Sequence, residues 1–371
     1  MYSCHINGET LMADVRVQFI LKRREDYSSE LHGHHKTLST GLYNSVSFLD
    51  EMLNDCNVTS EICVVEDNNS IDRAVTRFKP THCIIEALWV VPSKFAVLTK
   101  LHPKIKWIVR LHSEMPFIAN EGIAMDWLAD YVRYPQLMIG VNAPRMLEET
   151  RTYLRSVHRW DAKTAESRVI YMPNFYPQTY TKRRPLRQKG IINVGCFGAV
   201  RPLKNHLLQA VAAVKYADSK KLQLRFHING NRLEMKGEPV LNNLKGMFQQ
   251  LEDRGHALLL HDWRSRPEFL DLCAEMDVGM QVSFSETFNI VGADIISVGV
   301  PLVPSMEIPW ANELFAADPV DSVDIANKIA RTMKWGWLNT MLHKKQLTAY
   351  TNTTRKVWLD WLTKQGKDLN E

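Results

Sequence analysis

The sequence predicts an α/β protein with two Rossmann-like domains, each built on a parallel sheet that helices cover. The first observation is an alternation of short apolar runs with helix-period segments, which continues through both halves of the chain. The second is the length of 371 residues, which favours two hydrophobic cores over one. The third is a basic, proline-interrupted stretch near residues 176–190, which is typical of a linker between domains.

The composition is that of an ordinary globular protein, with 45% hydrophobic and 23% charged residues. The net charge of +5 suits an anionic substrate, although many proteins without one are equally basic. Six scattered cysteines without a C-x-x-C pair predict neither a zinc site nor a disulfide framework, and they fit a reducing cytoplasm. The first residues lack a signal-peptide pattern, and no apolar run approaches about 18 residues, so no transmembrane segment is expected.

In the first half, apolar runs predict six strands with helical segments between them. The predicted strands are Val15–Leu21, Ile62–Val65, Thr81–Glu86, Lys106–Leu111, Leu137–Val141 and Arg168–Met172. Helices are predicted at Leu38–Leu53 and Ala143–Leu154. A loop before the first helix carries His32, His34 and His35, but adjacent histidines without a well-spaced carboxylate make a poor metal site, so a solvated loop is favoured.

The second half restarts the same alternation. The predicted strands are Ile191–Phe197, Leu222–Asn229, Ala257–His261, Asp277–Val282 and Val300–Val303. The predicted helices are His206–Tyr216, Gly237–Arg254, Arg266–Met276, Thr287–Val298, Ser322–Thr332 and Thr353–Thr363. The last helix has an apolar face that could dock on another element.

Polar residues follow several predicted strands, at the sheet edge where open α/β folds bind ligands. The turn 283–286 lies between a strand and a helix, and the N–H groups at that helix start suit an anionic or hydroxyl-rich ligand. His112 follows another strand. Arg201 and Lys204 precede a helix start, where two cations are unfavourable against the helix dipole unless an anion lies between them.

The stretch 283–305 resembles the donor-site signature of retaining nucleotide-sugar glycosyltransferases of the GT-B fold, in particular family four. It reads Ser-x-Ser-Glu-x-Phe, has an acid eight residues after the Glu, and continues to Gly-x-Pro-Leu-Val. The resemblance implies two domains facing each other across a cleft. Residues 1–178 would form the acceptor-side domain, 190–345 the nucleotide-sugar domain, and 346–371 a C-terminal helix that crosses back to the first domain.

The resemblance also implies roles for the residues of this stretch. Glu286 takes the place of the acid that contacts the donor sugar, and Asp294 that of the acid that holds the ribose. Backbone N–H groups of Thr287, Phe288 and Asn289 would orient the sugar hydroxyls. Two departures are Asp294 where the family has Glu and Asn289 where it usually has Gly.

Four further donor-side residues follow from the resemblance. Arg201 and Lys204, just after Gly198, match the Arg and Lys that grip the donor diphosphate. Two fixed cations would stabilise the charge that grows on the leaving diphosphate. Trp263 would stack on the nucleobase, although Trp at a strand end is as often a core residue, and Arg264 would reach the phosphates.

The first half resembles the family more loosely. His112 stands where a histidine points at the donor sugar, and Asn174 matches the Asn of a Pro-Asn-Gly motif whose Gly is absent here. Ser39, Thr40 and Gly41 are candidates for the loop that faces the acceptor.

The predicted function is therefore sugar transfer from a nucleotide-diphosphate sugar to an acceptor hydroxyl, with retention, in the cytoplasm. No Asp-x-Asp motif occurs in the chain, so the prediction includes no metal and no cofactor beyond the co-substrate. A glycan or glycolipid acceptor is favoured. A hydroxylated DNA base, as in phage enzymes, is the alternative because basic runs lie at residues 22–24 and 182–184. A non-catalytic nucleotide-sugar-binding protein is the other alternative.

Overall fold

The structure, a computed structural model, describes residues 15–23, 40–177 and 188–370. These residues form two compact units. The first contains residues 15–23, 40–177 and 351–370, and the second contains residues 188–350. Each unit has one parallel sheet with helices packed against it. The predicted α/β fold with two parallel sheets is thereby confirmed.

The first unit contains six parallel strands among its described residues, in the order β2-β1-β3-β4-β5-β6. The strands are β1 Arg16–Lys22, β2 Thr59–Val65, β3 His82–Glu86, β4 Lys106–Leu111, β5 Leu137–Val141 and β6 Val169–Tyr171. The helices are α1 Gly41–Asp55, α2 Ser70–Phe78, α3 Phe95–Leu101, α4 Met115–Ile118, α5 Ala124–Tyr131, α6 Pro144–His158 and α7 Ala162–Arg168. Because helices cover both faces, the central strands are buried along nearly their whole length.

The core on one side of this sheet is centred on Phe95, which packs edge-on against Trp107 and Tyr131 with ring centroids 5.9 and 5.5 Å away. All three rings are fully buried. Edge-to-face contacts of this kind add to the free energy gained from burying the rings. They fix α3 and α5 against the sheet, so that the ends of β3, β4 and β5 form a firm edge.

The second unit has the strand order β11-β10-β7-β8-β9, again parallel throughout. Its strands are β7 Ile191–Gly195, β8 Gln223–Asn229, β9 Ala257–His261, β10 Val278–Gln281 and β11 Leu302–Pro304. Its helices are α8 His206–Ser219, α9 Gly237–Gln249, α10 Arg266–Ala274, α11 Ile290–Ser297 and α12 Ser322–Lys334. The chain starts at β7 and adds strands first on one side and then, from β10, on the other. The crevice where β7 and β10 end is therefore the topological switch point, where such sheets bind ligands.

A long helix, α13 Gly336–Asn370, starts in the second unit and ends in the first. Within the first unit it buries Trp358, whose indole N–H donates to the carbonyl of Pro173 at 2.9 Å and whose ring lies 6.1 Å from that of Phe19. The apolar period predicted residues 353–363 of this helix, and the resemblance implied a C-terminal helix over 346–371; the observed helix starts earlier, at Gly336. Among the helices that the structure describes, none has the length and apolar character needed to cross a membrane.

Helix α11 begins at Ile290, three residues later than the predicted start at Thr287. The reason is Asn289, which adopts a left-handed conformation with φ of 62° and accepts a hydrogen bond from the N–H of Gly292 at 2.7 Å. Asn tolerates this conformation and is a strong N-cap, so the helix cannot extend back through it. The segment from Thr287 to Asn289 is thus a loop that leads into the helix.

Candidate functional site

The loops after β7 and β10 meet at the switch point and bring Lys204 onto Glu286. Phe284 N–H donates to the carbonyl of Leu203 at 2.9 Å, and the side chain of Asn205 donates to the carbonyl of Val282 at 3.0 Å. These bonds hold the loop that carries Lys204 against the loop that carries Glu286. As a result, Lys204 Nζ lies 2.5 Å from Glu286 Oε1. Lys204 and Glu286, which were predicted to contact different parts of the donor, therefore form one ion pair.

Glu286 is the centre of a buried polar group. Its side chain is 7% exposed and that of Lys204 is 12% exposed. Asn289 donates to the same Oε1 at 3.0 Å and to Oε1 of Gln281 at 2.9 Å. Gln281 in turn donates to the carbonyl of Phe197 at 2.9 Å, so the group is bonded back to the end of β7. This network fixes the position of the Glu286 carboxylate in a poorly solvated place.

The side chain of Phe288 belongs to the core and not to the site. It is 1% exposed, and its ring packs 5.5 Å from that of Tyr350 and 6.2 Å from that of Trp310. Trp310 also donates its indole N–H to the carbonyl of Phe288 at 2.7 Å. At this position Phe288 could contact a donor only through its backbone N–H, as predicted, and not through its side chain.

Asp294 lies inside α11, where it is 2% exposed and receives a hydrogen bond from Arg266 Nη2 at 3.1 Å. Arg266 is the first residue of α10, directly after the β9 loop, and no role was predicted for it from the sequence. A signal was present, because Arg266 stands two residues after the candidate Arg264 at the same sheet edge. Asp294, which was predicted to contact the ribose, is therefore paired with the cation of Arg266.

Arg201 and Trp263 are linked through two residues that were not predicted from the sequence. Arg201 Nη1 lies 3.2 Å from Glu234 Oε2, and Arg232 Nε lies 2.9 Å from Glu234 Oε1. The Arg232 guanidinium stacks over the Trp263 ring, 4.3 Å from its centroid. All of these residues follow the ends of β7, β8 or β9. The predicted phosphate-binding arginine and the predicted base-stacking tryptophan therefore lie along one edge of the sheet.

Gly198 makes a tight turn directly after β7, with φ of +112°. Its N–H donates to Asn229 Oδ1 at 2.8 Å, and Asn229 is 2% exposed at the end of β8. A residue with a Cβ would be strained at this φ, so the turn requires Gly. Arg264 is half-buried in the β9 loop.

The first unit has its own polar cluster, at the ends of β3, β4, β5 and β6. It consists of Glu86, Arg110, His112, Asn142 and Asn174. Arg110 Nη1 lies 3.2 and 3.3 Å from the two oxygens of Glu86, and its Nη2 donates to Asn174 Oδ1 at 2.5 Å. Asn142 Nδ2 lies 3.4 Å from Asn174 Oδ1. The structure thus brings the predicted His112 and Asn174 together with three residues that were not predicted.

Glu86 and His112 form a hydrogen-bonded pair within this cluster. Burial alone would raise the pKa of Glu86, but the charge of Arg110 and the bonds from Arg110 and His112 lower it. Burial and the nearby Arg110 charge lower the pKa of His112, against the opposing effect of Glu86. Near neutral pH the pair is therefore a carboxylate and a neutral imidazole, with His112 Nε2–H donating to Glu86 and Nδ1 facing the Asn142 amide at 3.5 Å. Both ring nitrogens already contact side chains of the first unit.

The acceptor-side candidates are only partly described. Ser39, His32, His34 and His35 lie outside the described residues. So do Arg24, the last residue of the basic run at 22–24, and the basic run at 182–184. Thr40 is the N-cap of α1 and is 2% exposed, and its hydroxyl accepts a hydrogen bond from the N–H of Tyr43 at 3.1 Å. Gly41 is the first residue of that helix. The Thr40 hydroxyl therefore has a structural role in this unit.

Comparison with known proteins gives structural but not sequence matches. No protein-family model matches the chain, and neither does any curated sequence. Sucrose-phosphate synthase from Thermosynechococcus elongatus matches with a TM-score of 0.62 and 13% identity, over 96% of this chain and 98% of the other. A UDP-forming trehalose-phosphate synthase from Burkholderia vietnamiensis matches with a TM-score of 0.65 and 11% identity, over 95% and 97%.

A third solved structure, HepE from Anabaena in complex with UDP and glucose, has a TM-score of 0.57 and 13% identity, over 96% of this chain and 99% of the other. At such identities a match speaks for the fold, and function must be argued from the site. The predicted fold is confirmed: the chain has the GT-B fold of these proteins.

Proposed function

We propose that this protein transfers a sugar from a nucleotide-diphosphate donor to an acceptor hydroxyl, and that the second unit holds the donor. The observation that carries the proposal is the buried group of Lys204, Glu286 and Asn289 at the switch point between β7 and β10. Ligands of open α/β sheets bind at such points. HepE, which shares the fold, is known as a complex with UDP and glucose, so a UDP-sugar is the first donor to test.

The proposed reaction needs cations beside the donor diphosphate. When the bond between the sugar C1 and the β-phosphate oxygen breaks, the bonding electrons stay on that oxygen, and the acceptor oxygen forms the new bond to C1. In a retaining reaction the acceptor proton passes to the leaving phosphate. Lys204 and Arg201 would stabilise the phosphate charge, and fixed cations in a dry site do so without costly reorganisation.

Each of these cations already has a carboxylate partner in the protein alone. Lys204 is paired with Glu286, and Arg201 with Glu234. A diphosphate carries more charge than one carboxylate and can bind both cations, so we propose that it replaces or shares these ion pairs. Glu286 would then turn to the sugar hydroxyls, as the resemblance implies. Retention, independence from metals and the class of acceptor belong to the proposal.

The test measures the thermal stability and donor hydrolysis of the full chain with UDP-glucose, other UDP-sugars and GDP-sugars, each in EDTA. A cognate donor at 100 times its Kd should stabilise the fold by about 2.7 kcal/mol. Glu286→Gln should retain binding and lose turnover by roughly 100-fold or more. Lys204→Gln should weaken binding by at least about tenfold, since it removes a poorly solvated cation.

Two exposed residues of the same unit supply matched controls. Glu275→Gln and Lys220→Gln change the same charges away from the site and should behave as the wild type. If no nucleotide or nucleotide sugar stabilises the protein, the proposal fails. If a donor binds but neither hydrolysis nor transfer to glycans, glycolipids or DNA occurs, the chain is a nucleotide-sugar-binding protein, an alternative that the departures at Asn289 and Asp294 already raise.

A further inference from the structure

The end of α12 and the start of α13 expose large apolar side chains beside cations. Trp337, Met341 and Trp335 have exposed fractions of 66%, 49% and 43%. Trp337, Met341 and the exposed Lys345 are spaced four residues apart on α13 and therefore lie on one face. We call the set Arg331, Lys334, Trp335, Trp337, Met341 and Lys345 the tryptophan–lysine surface.

The cations of this surface lie beside its apolar side chains. Lys334 Nζ is 5.3 Å from the centroid of the Trp335 ring. Arg331 precedes Trp335 by one helical turn and donates from Nη1 to the carbonyl of Leu314 at 3.1 Å. Leu314 is itself 42% exposed, so the apolar area continues onto the neighbouring loop. Basic and apolar groups thus stand next to each other around the junction of α12 and α13.

The charge on this stretch has a single sign. From Ile325 to Leu359 the sequence contains seven Lys or Arg residues and no Asp or Glu. The exposed acid Glu313 precedes Leu314 in the neighbouring loop. A partner for this surface must therefore be anionic and must also accept two indole rings and a thioether.

We propose that the tryptophan–lysine surface docks on an anionic lipid surface. Trp side chains favour the boundary between headgroups and acyl chains, where the ring is buried and the N–H stays hydrated. Lys and Arg at the same level gain from the negative potential of anionic lipids. Duplex DNA would satisfy the cations but leave the indoles and Met341 in water. A second copy of the same surface would bring like charges together.

The docking is testable by co-sedimentation of the full chain with vesicles in 0.1 M salt. Vesicles of phosphatidylcholine alone are compared with vesicles that contain 30% phosphatidylglycerol, without any nucleotide sugar. The wild type should bind the anionic vesicles and hardly bind the neutral ones. Since each cation near an anionic surface contributes roughly a factor of five, the triple variant Arg331→Gln/Lys334→Gln/Lys345→Gln should bind about 100-fold more weakly. Salt at 0.5 M should act in the same direction.

The apolar part is tested by Trp335→Ala/Trp337→Ala, which should lower the partition coefficient by about tenfold or more because binding scales with buried apolar area. The matched control is Val97→Ala/Leu101→Ala, which removes exposed apolar groups on α3 of the first unit and should bind as the wild type. Circular dichroism verifies that every variant is folded.

Three results would overturn the proposal. The first is equal binding to neutral and anionic vesicles, or none. The second is binding that the control pair weakens as much as the tryptophan pair does. The third is a tryptophan variant that loses more affinity for a single-stranded DNA oligonucleotide, or more self-association, than vesicle binding. Glu286→Gln should bind vesicles as the wild type does, so this outcome is separate from that of the proposed transferase activity.

Discussion

Replacing Glu86 by Gln tests whether the polar cluster of the first unit depends on a buried charge. Glu86 and Arg110 are both fully buried, and Nη1 and Oε2 lie 3.2 Å apart. Removing one partner of such a pair leaves the other charge buried without its counter-ion, which typically costs about 3–5 kcal/mol. Gln can still accept a bond from Arg110, which keeps its bonds to Asn174 and to the carbonyl of Met172. We therefore expect a loss near the lower end, about 3 kcal/mol.

The assay is urea and thermal unfolding at pH 7, followed by circular dichroism and tryptophan fluorescence. For a unit of this size, about 3 kcal/mol corresponds to a fall of roughly 6–12 °C in the transition of the first unit. Asp130→Asn is the matched control, because Asp130 pairs with Arg133 at 3.2 Å on the surface of the same unit, with side chains 45% and 71% exposed. Such pairs contribute less than about 1 kcal/mol.

A double-mutant cycle separates the charge pair from other effects of the substitution. Arg110→Met alone leaves the Glu86 carboxylate buried with His112 as its remaining partner, and should also be strongly destabilising. The double variant should lose less stability than the two single losses together, by about 1.5 kcal/mol or more. Additive losses, or a Glu86→Gln loss no greater than that of Asp130→Asn, would refute the assignment of a buried charge pair.

Three further predictions concern single side chains. Burial, with Lys204 and Arg201 nearby, lowers the pKa of His206 to about 3, so below pH 6.5 the unfolded chain binds more protons than the folded one. Between pH 7 and pH 5 the wild type should therefore lose about 2 kcal/mol more stability in urea unfolding than His206→Leu does. An equal loss in both proteins would contradict this. Asn289→Gly keeps the left-handed conformation but loses the N-cap and the bond to Glu286, and should cost about 1–2 kcal/mol in the same assay. Trp358→Ala should cost about 3–5 kcal/mol by calorimetry, whereas Trp337→Ala, at an exposed position, should change stability by less than about 0.5 kcal/mol.

The fold was predictable from the sequence because apolar runs in a parallel sheet are short and are bounded by polar loops. The predicted bounds of β4, β5 and β9 agree with the structure residue for residue. Helix α11 was placed too early because Phe288 continues its apolar period. Phe288 is apolar for a different reason, since it fills the core beside Trp310 from a loop. Periodicity cannot distinguish a helical residue from a buried loop residue of the same type.

The cluster of the first unit shows what strand patterns conceal. Glu86 and Arg110 lie within β3 and β4, in runs that read as hydrophobic, and nothing local shows that the two side chains neutralise each other. Their pairing depends on the strand register, in which Glu86 is the partner of Arg110 across adjacent strands. His112 was found because it follows a strand end, where position alone suggests a ligand edge, and Asn174 was found because it matches the Asn of a Pro-Asn-Gly motif. Predicting which residues pair across adjacent strands requires the order of the strands in the sheet, which the sequence does not reveal.

The shorter Asp294 is easier to reconcile with the proposed nucleotide site once Arg266 is considered. Where the family has Glu, Asp reaches about one methylene less far into the crevice, and here its carboxylate is bonded to Arg266 on the neighbouring helix. Arg266 is 23% exposed at its side chain, whereas Asp294 is 3% exposed. A nucleotide bound at this position would therefore meet the guanidinium, whose orientation the acid fixes. In the proposed enzyme, part of the nucleotide recognition would thus pass from a carboxylate that accepts hydrogen bonds to a guanidinium that donates them.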